Sequence, residues 1–229
     1  MGIPEPDVIL RTAAPVATIE LSRPERLNAL TLAMLARIDA ICAELEARTD
    51  VRVVVVRSSS ARAFCAGADV NEWSALGPDG MWRRWIADGH RVFDRLARLP
   101  MPTIASISGV AFGGGLELAL ACDLRLASTD ARFALPETRI GVVPGWGGAA
   151  RLAALIGAGR AKQMALTGEP ISAEEACRWG LINEIVDSAA LPARVQEVAM
   201  RIAEGPRIAV QVTKQLIDSS QARAPMAMI

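Results

Sequence analysis

Tyrosine is absent from this chain of 229 residues, and histidine occurs once, at His90. A single imidazole removes the usual histidine-based triads and histidine-rich metal sites, so acid/base chemistry falls to carboxylates, lysines or the backbone. His90 lies in a helical stretch beside Arg91 and reads as a surface residue. The four cysteines (Cys42, Cys65, Cys122, Cys177) form no C-x-x-C pair and no metal-type cluster. They read as buried reduced thiols, which points to a cytoplasmic protein. Excess charge is lacking too: 25 basic residues balance 25 acidic ones, which gives no support for a nucleic-acid or anionic-membrane partner. No uncharged apolar run reaches membrane-spanning length, and the start, MGIPEPDVIL, has prolines and acids where a signal peptide has basic residues and an apolar run. The length suits one large domain, or a domain with a helical appendage.

What is present alternates strand and helix. Val16 to Leu21 reads as a strand. Thr31 to Arg48 shows helical spacing with Thr31 as N-cap, and the β-branched run Val51 to Val56 suits a strand buried on both faces. After the loop Ser58 to Asp69 a short helix begins near Val70. Gly77-Pro78-Asp79-Gly80 reads as a turn, and Met81 to Leu99 as a helix. Beyond Gly159 the pattern is mainly helical: Ser172-x-x-Glu175 is a capping box, Leu181 to Val186 a short strand, and Ala189 to Ala203 and Arg207 to Ser219 helices. The end, SSQARAPMAMI, has little periodicity and reads as loose.

The chain is organised around Ser106 to Asp123. An apolar strand, Thr103 to Ile107, leads through Gly113, Gly114 and Gly115 into a helix that carries one carboxylate, Glu117. The first N–H groups of a helix lack intrahelical partners and favour negative charge, and glycine lets a ligand approach them. Glu117, three residues beyond Gly114, falls near the same face. An oxyanion hole beside an acid/base carboxylate fits this pattern, and so does a glycine turn with a solvated glutamate.

Two motifs repeat: Ala63-Phe64-x-x-Gly67 and Ala111-Phe112-x-x-Gly115 lie 48 residues apart, and Leu124 to Ala127 followed by Arg132-Phe133-Ala134 is a weaker third copy. The period suggests a coiled ββα architecture with a stacked core. Gly145-x-Gly147-x-x-Ala150 superficially fits a dinucleotide fingerprint, but Pro144 abuts the first glycine and no strand with a ribose-binding acid follows. A glycine turn feeding a helix remains.

Taken together, LSRPERLNAL (21 to 30), AFCAGADV (63 to 70), GVAFGGGLELALACD (109 to 123), FALPETRIGVVPGWGGAARL (133 to 152) and ISAEEACRWGLINEIV (171 to 186) resemble the enoyl-CoA hydratase/isomerase family, the crotonases. The resemblance implies an α/β fold, a crotonase-like spiral of ββα units over residues 1–185 with a C-terminal helical region over 186–229, assembled as trimers or hexamers and binding acyl-CoA thioesters. It implies an oxyanion hole from the N–H groups of Ala68 and Gly114, and two catalytic glutamates, Glu117 and Glu137. In this resemblance Arg26 and Leu27 line the CoA moiety, Ala66, Asp69 and Val70 the adenine side, and Gly145 the reacting end, while Gly67, Pro136 and Trp146 complete the substrate-binding set. A surface arginine would account equally for Arg26, a helix cap for Asp69 and core packing for Trp146. Trp73, Trp82 and Trp85 fall where the family often forms a lid over the pocket.

The paired glutamates imply hydration of a 2-enoyl-CoA to a 3-hydroxyacyl-CoA, with no metal or redox cofactor. Glu117 would deprotonate water and Glu137 protonate C2, with the helix start favouring ionised Glu117 and repulsion raising the proton affinity of its neighbour. The alternatives are 3-enoyl to 2-enoyl-CoA isomerisation through Glu137 alone, and a catalytically weak acyl-CoA-binding paralogue. Family members usually continue for about 30 residues beyond the helix at Gln211 to Ser219, so either the sequence lacks that tail or the protein is naturally short; in the second case an open pocket, weaker CoA binding and altered subunit contacts are expected.

Overall fold

The structure, a computed structural model, describes residues 6–221. The acid- and proline-containing first five residues and the last eight, part of the end read as loose, lie outside them. In chain order the strands and helices are β1 (Val8–Ala13), β2 (Val16–Leu21), α1 (Leu32–Glu46), β3 (Val53–Ser58), β4 (Ala63–Cys65), α2 (Val70–Trp73), α3 (Pro78–Gly80), α4 (Ala87–Ala97), β5 (Thr103–Ile107), β6 (Val110–Phe112), α5 (Gly114–Leu120), β7 (Leu124–Ser128), β8 (Arg132–Ala134), α6 (Gly148–Ile156), α7 (Ala158–Thr167), β9 (Ile171–Ser172), α8 (Ala173–Trp179), β10 (Glu184–Val186), α9 (Leu191–Ala203) and α10 (Arg207–Gln221).

The internal repeat is the spiral. Each strand pair β3/β4, β5/β6 and β7/β8 gives its first strand to a six-stranded sheet ordered β1-β2-β3-β5-β7-β10 and its second to a four-stranded sheet ordered β4-β6-β8-β9. Successive turns stack in parallel, Cys65 opposite Ala111 and Ala111 opposite Phe133, so the repeated motifs lie side by side. This stacking brings the loops that follow β4, β6 and β8 to one place.

Alternation in β3 shows why its valines are unbroken. Val54 and Val56 enter the main core with α1, while Val53 and Val55 face Leu191, Val195 and Ala199 of α9 on the other side. Thr31 caps α1, its hydroxyl accepting from the Met34 N–H at 3.1 Å. The Gly77–Gly80 segment differs from the expected turn: Pro78 occupies a first-turn position of α3, where its missing N–H costs nothing, and the chain continues through a π-helical stretch, Met81–Ile86, into α4. Only Glu184–Val186 of the strand expected from Leu181 pairs in the sheet. Cys42, Cys65 and Cys122 are buried free thiols, pushed up to about 12 by burial.

Arg125, buried beneath α5, donates to the carbonyls of Cys122 (2.6 Å), Leu181 (2.8 Å), Asp123 (3.3 Å) and Ala119 (3.4 Å). It joins the C-terminal end of the central helix to β7 and to the approach of β10. Arg125→Met is expected to leave these carbonyls short of donors and to lower unfolding free energy by about 3 kcal/mol or more, read from urea titration.

Candidate active site

Ten of the candidate residues line one cavity of about 150 Å³: Ala66, Gly67, Ala68, Val70, Gly114, Glu117, Pro136, Glu137, Gly145 and Trp146. Arg26, Leu27 and Asp69 are not among its walls. Arg26 is exposed at the end of a short 3₁₀ turn, and Leu27 accepts the Ala66 N–H at 2.9 Å through its carbonyl, placing it behind the loop. Asp69 caps α2, accepting from the Asn71 and Glu72 N–H groups, and pairs with Arg23 at 2.7 Å. Those bonds hold its carboxyl below the usual range, the Arg23 bond foremost, and they account for Asp69 as a structural cap.

The loop after β4 presents the Ala68 N–H by a simple geometric device. Leu30 and Ala68 form a parallel bridge in which Leu30 N–H donates to the Gly67 carbonyl at 2.7 Å and Asp69 N–H donates to the Leu30 carbonyl at 2.8 Å. Such a bridge uses the groups flanking Ala68, so the N–H of Ala68 itself is directed the other way. Gly67 turns the chain into this position at φ 112°, and a Cβ there would stand 3.6 Å from the Gly114 nitrogen. Gly114 is the first residue of α5, so its N–H has no intrahelical acceptor. The two donors thus belong to adjacent loops on one wall.

Glu117 is not solvated: it is 2% exposed. Its Oε1 accepts the N–H groups of Gly148 (2.7 Å) and Trp146 (2.9 Å). The rejected dinucleotide-like glycines therefore have a different use, as a loop that cradles this carboxylate; a Cβ at Gly148 would collide with the Glu117 side chain. Burial raises the proton affinity of Glu117, while the Gly148 and Trp146 N–H groups and the charge of Arg151 oppose the rise. The net direction is upward, contrary to the expectation that the helix start alone would favour its ionised form.

Glu137 follows β8 at the start of a 3₁₀ turn, Glu137–Ile140. Its Oε2 is buried and has no hydrogen-bond partner among the described residues. Burial pushes its carboxyl up to about 7; its own backbone N–H opposes the rise and repulsion from Glu117 adds to it. Desolvation therefore leads, and the repulsion expected from the paired carboxylates is secondary.

The remaining wall is apolar, and only part of it was foreseen. Trp146 is buried against Trp85 (ring centroids 5.5 Å apart) and Phe93 (5.2 Å), and its Nε1 donates to the Trp85 carbonyl at 3.0 Å. Trp73, Met81, Trp85 and Ile86 also line the cavity, whereas Trp82 is 69% exposed and does not. Asn28 went unnoticed in the sequence. It is fully buried at φ 54°, and its amide donates to Ser58 Oγ and the Ala63 and Phe64 carbonyls, fastening the strand that leads to Ala68. Among the described residues there is no cluster of metal-ligating side chains and no helix long and apolar enough to cross a membrane.

Comparison with known proteins places the fold in a family. Residues 11–228 match the family model described as enoyl-CoA hydratase/isomerase. The short-chain-enoyl-CoA hydratase of Clostridium acetobutylicum is 39% identical over 93% of this chain and 81% of that protein. The (E)-benzylidenesuccinyl-CoA hydratase of Thauera aromatica is 38% identical over 91% and 80%. Among solved structures, the enoyl-CoA hydratase of Bacillus anthracis superposes with a TM-score of 0.90 at 36% identity, covering 93% of this chain and 83% of that one. With its ββα spiral, its paired glycine loops and both glutamates in place, the chain belongs to the enoyl-CoA hydratase/isomerase family.

Proposed function

We propose that this protein hydrates 2-enoyl-CoA thioesters to 3-hydroxyacyl-CoA through Glu117 and Glu137. The observation that carries the reading is a buried carboxylate, Glu117, and a half-buried one, Glu137, in unequal surroundings on the cavity that also receives Ala68 and Gly114. With the thioester oxygen between those two N–H groups, C3 is electron-poor and the enolate charge that develops meets donors already in place. Glu117, held by two N–H groups, takes a proton from water as the water oxygen bonds to C3. Glu137 gives its proton to C2, and solvent then returns both groups to their starting protonation. The acyl-CoA is the substrate, and no further cofactor is invoked.

Loss of the conjugated-thioester absorbance on incubation with crotonyl-CoA, with 3-hydroxybutyryl-CoA as product, tests the reading; an unchanged spectrum with the folded protein, longer enoyl-CoAs included, overturns it. Isomerisation of 3-enoyl-CoA through Glu137 is the second reading, favoured by the free Oε2, and it would instead create the absorbance. Assembly as a homotrimer or hexamer and a cytoplasmic location complete the proposal, the first to be read by sedimentation.

The carboxyl of Glu137 sets the pH response. It must be protonated in the free enzyme, so kcat/KM is expected to fall as pH rises through about 7. Stability follows the same sign. The native pKa lies above the ordinary 4.5, so the favourable contribution present below that value is lost as pH rises through about 7. At about 1.4 kcal/mol per pH unit the separation corresponds to about 3.5 kcal/mol, and solvent screening of this half-buried carboxyl reduces the loss to about 2–3 kcal/mol. Melting temperatures at pH 5 and pH 8 should differ in wild type and differ less in Glu137→Gln.

A further inference from the structure

Arg151 lies at the end of the motif of residues 133 to 152 without a part in the chemistry assigned above, yet it reaches the back of the loop that holds Glu117. The Trp146 carbonyl accepts from Arg151 Nη1 at 2.8 Å, and this carbonyl sits in the chain between the two N–H groups that bind Glu117. Nη2 of the same guanidinium is 2.5 Å from Asp94 Oδ1 on α4. Gly147 leaves the space for this contact: a Cβ there would stand 2.6 Å from Nη1. Because a peptide unit is planar, the bond to the Trp146 carbonyl fixes the Trp146–Gly147 unit, which lies between the two units that carry the Trp146 and Gly148 N–H groups.

The charges around the loop are few. Glu117 shares the cavity with Glu137, and Arg151 stands behind it on α6. Asp94, which braces Arg151, is approached on its other side by His90 Nε2 at 3.6 Å and Arg98 Nη2 at 3.8 Å. Arg151 is thus a positive charge set behind Glu117 and braced by Asp94.

We propose that Arg151, braced by Asp94, is a positioning residue for hydration: it holds the loop from Pro144 to Gly148 so that Glu117 faces the attacking water, and its charge stabilises Glu117 as a carboxylate. The inference rests on the hydratase reading for its kinetic readout. The electrostatic part agrees with the opposition that Arg151 offers to the burial of Glu117.

The test compares Arg151→Met, Arg151→Lys, Asp94→Asn and His90→Gln by kcat, KM and the pH profile of crotonyl-CoA hydration. Alongside them, carbon-13 NMR follows the Glu117 carboxyl, assigned with Glu117→Gln. Arg151→Met is expected to lower kcat about tenfold or more with KM within about threefold, as lost alignment does. It should also move the acid limb and the Glu117 titration up by about one pH unit, as loss of a nearby opposite charge does. Arg151→Lys should restore the acid limb but not full kcat, because lysine keeps the charge without the fork. Asp94→Asn should lower kcat less than Arg151→Met, and His90→Gln should leave the limb where it is. A folded Arg151→Met protein with limb and Glu117 titration unmoved overturns the proposal, and so does a lysine variant displaced as far as the methionine one. Should Arg151→Met fail to fold, Arg151→Gln takes its place under the same criteria. If wild type does not hydrate crotonyl-CoA the hydratase reading falls, and the Glu117 titration in the Arg151 variants still decides the electrostatic claim.

Discussion

Glu117→Gln and Glu137→Gln are each expected to lower crotonyl-CoA turnover by about 10²-fold or more, the usual contribution of a positioned acid or base. The first substitution is nearly isosteric: the amide oxygen can still accept the Gly148 and Trp146 N–H groups, so the cradle survives and only the base is lost. The second replaces a carboxyl whose buried Oε2 has no partner among the described residues, and the amide keeps an oxygen for the residue's own backbone N–H. Both variants should therefore fold, and the Glu137 variant should gain stability above pH 7, where the native carboxylate is penalised. The double variant should lose less than the product of the two single losses, because groups acting in one step are not additive. Stopped-flow or steady-state absorbance provides the measurement; single variants within about tenfold of wild type would show that the assigned roles are wrong.

Much of the fold was legible because its signals are local. The β3 valines, the Thr31 and Ser172 caps and the glycine start of α5 each announce themselves within a few residues, and the repeat of Ala-Phe-x-x-Gly foretold strands that stack side by side, though not the shift of register between Ala63 and Cys65. That ten of the candidate residues meet on one cavity was legible, but the energetics of that cavity were not. That Glu117 is buried rather than solvated depends on a loop 29 to 31 residues away in the chain, and the placing of Ala68 on the cavity wall depends on a bridge to Leu30. Asp69 looked equally like ligand wall and helix cap, and only its bonds to Arg23, Asn71 and Glu72 decide for the cap. Burial has no periodicity to read, which is why repulsion was expected to set the proton affinity of Glu137 and desolvation turned out to lead.

Ala68→Pro is expected to cost about 10²- to 10³-fold in kcat, because it deletes outright one of the two donors proposed for the thioester oxygen. A backbone N–H is rarely removable without unfolding its surroundings, but here the parallel bridge makes it possible. The two bonds to Leu30 belong to the Gly67 carbonyl and the Asp69 N–H, and neither involves the nitrogen that proline blocks. The preceding residue is Gly67, the residue type with the widest conformational freedom ahead of a proline ring. Structural cost should accordingly be small against the catalytic one, with KM changing less than kcat, since the charge on the thioester oxygen is fully developed only in the transition state. Circular dichroism and melting temperature establish that the variant is folded. A folded Ala68→Pro protein with kcat within about tenfold of wild type would mean that the thioester oxygen is not bound between Ala68 and Gly114, and the glycine loops would then have to be regarded as packing devices rather than as the source of the enolate's stabilisation.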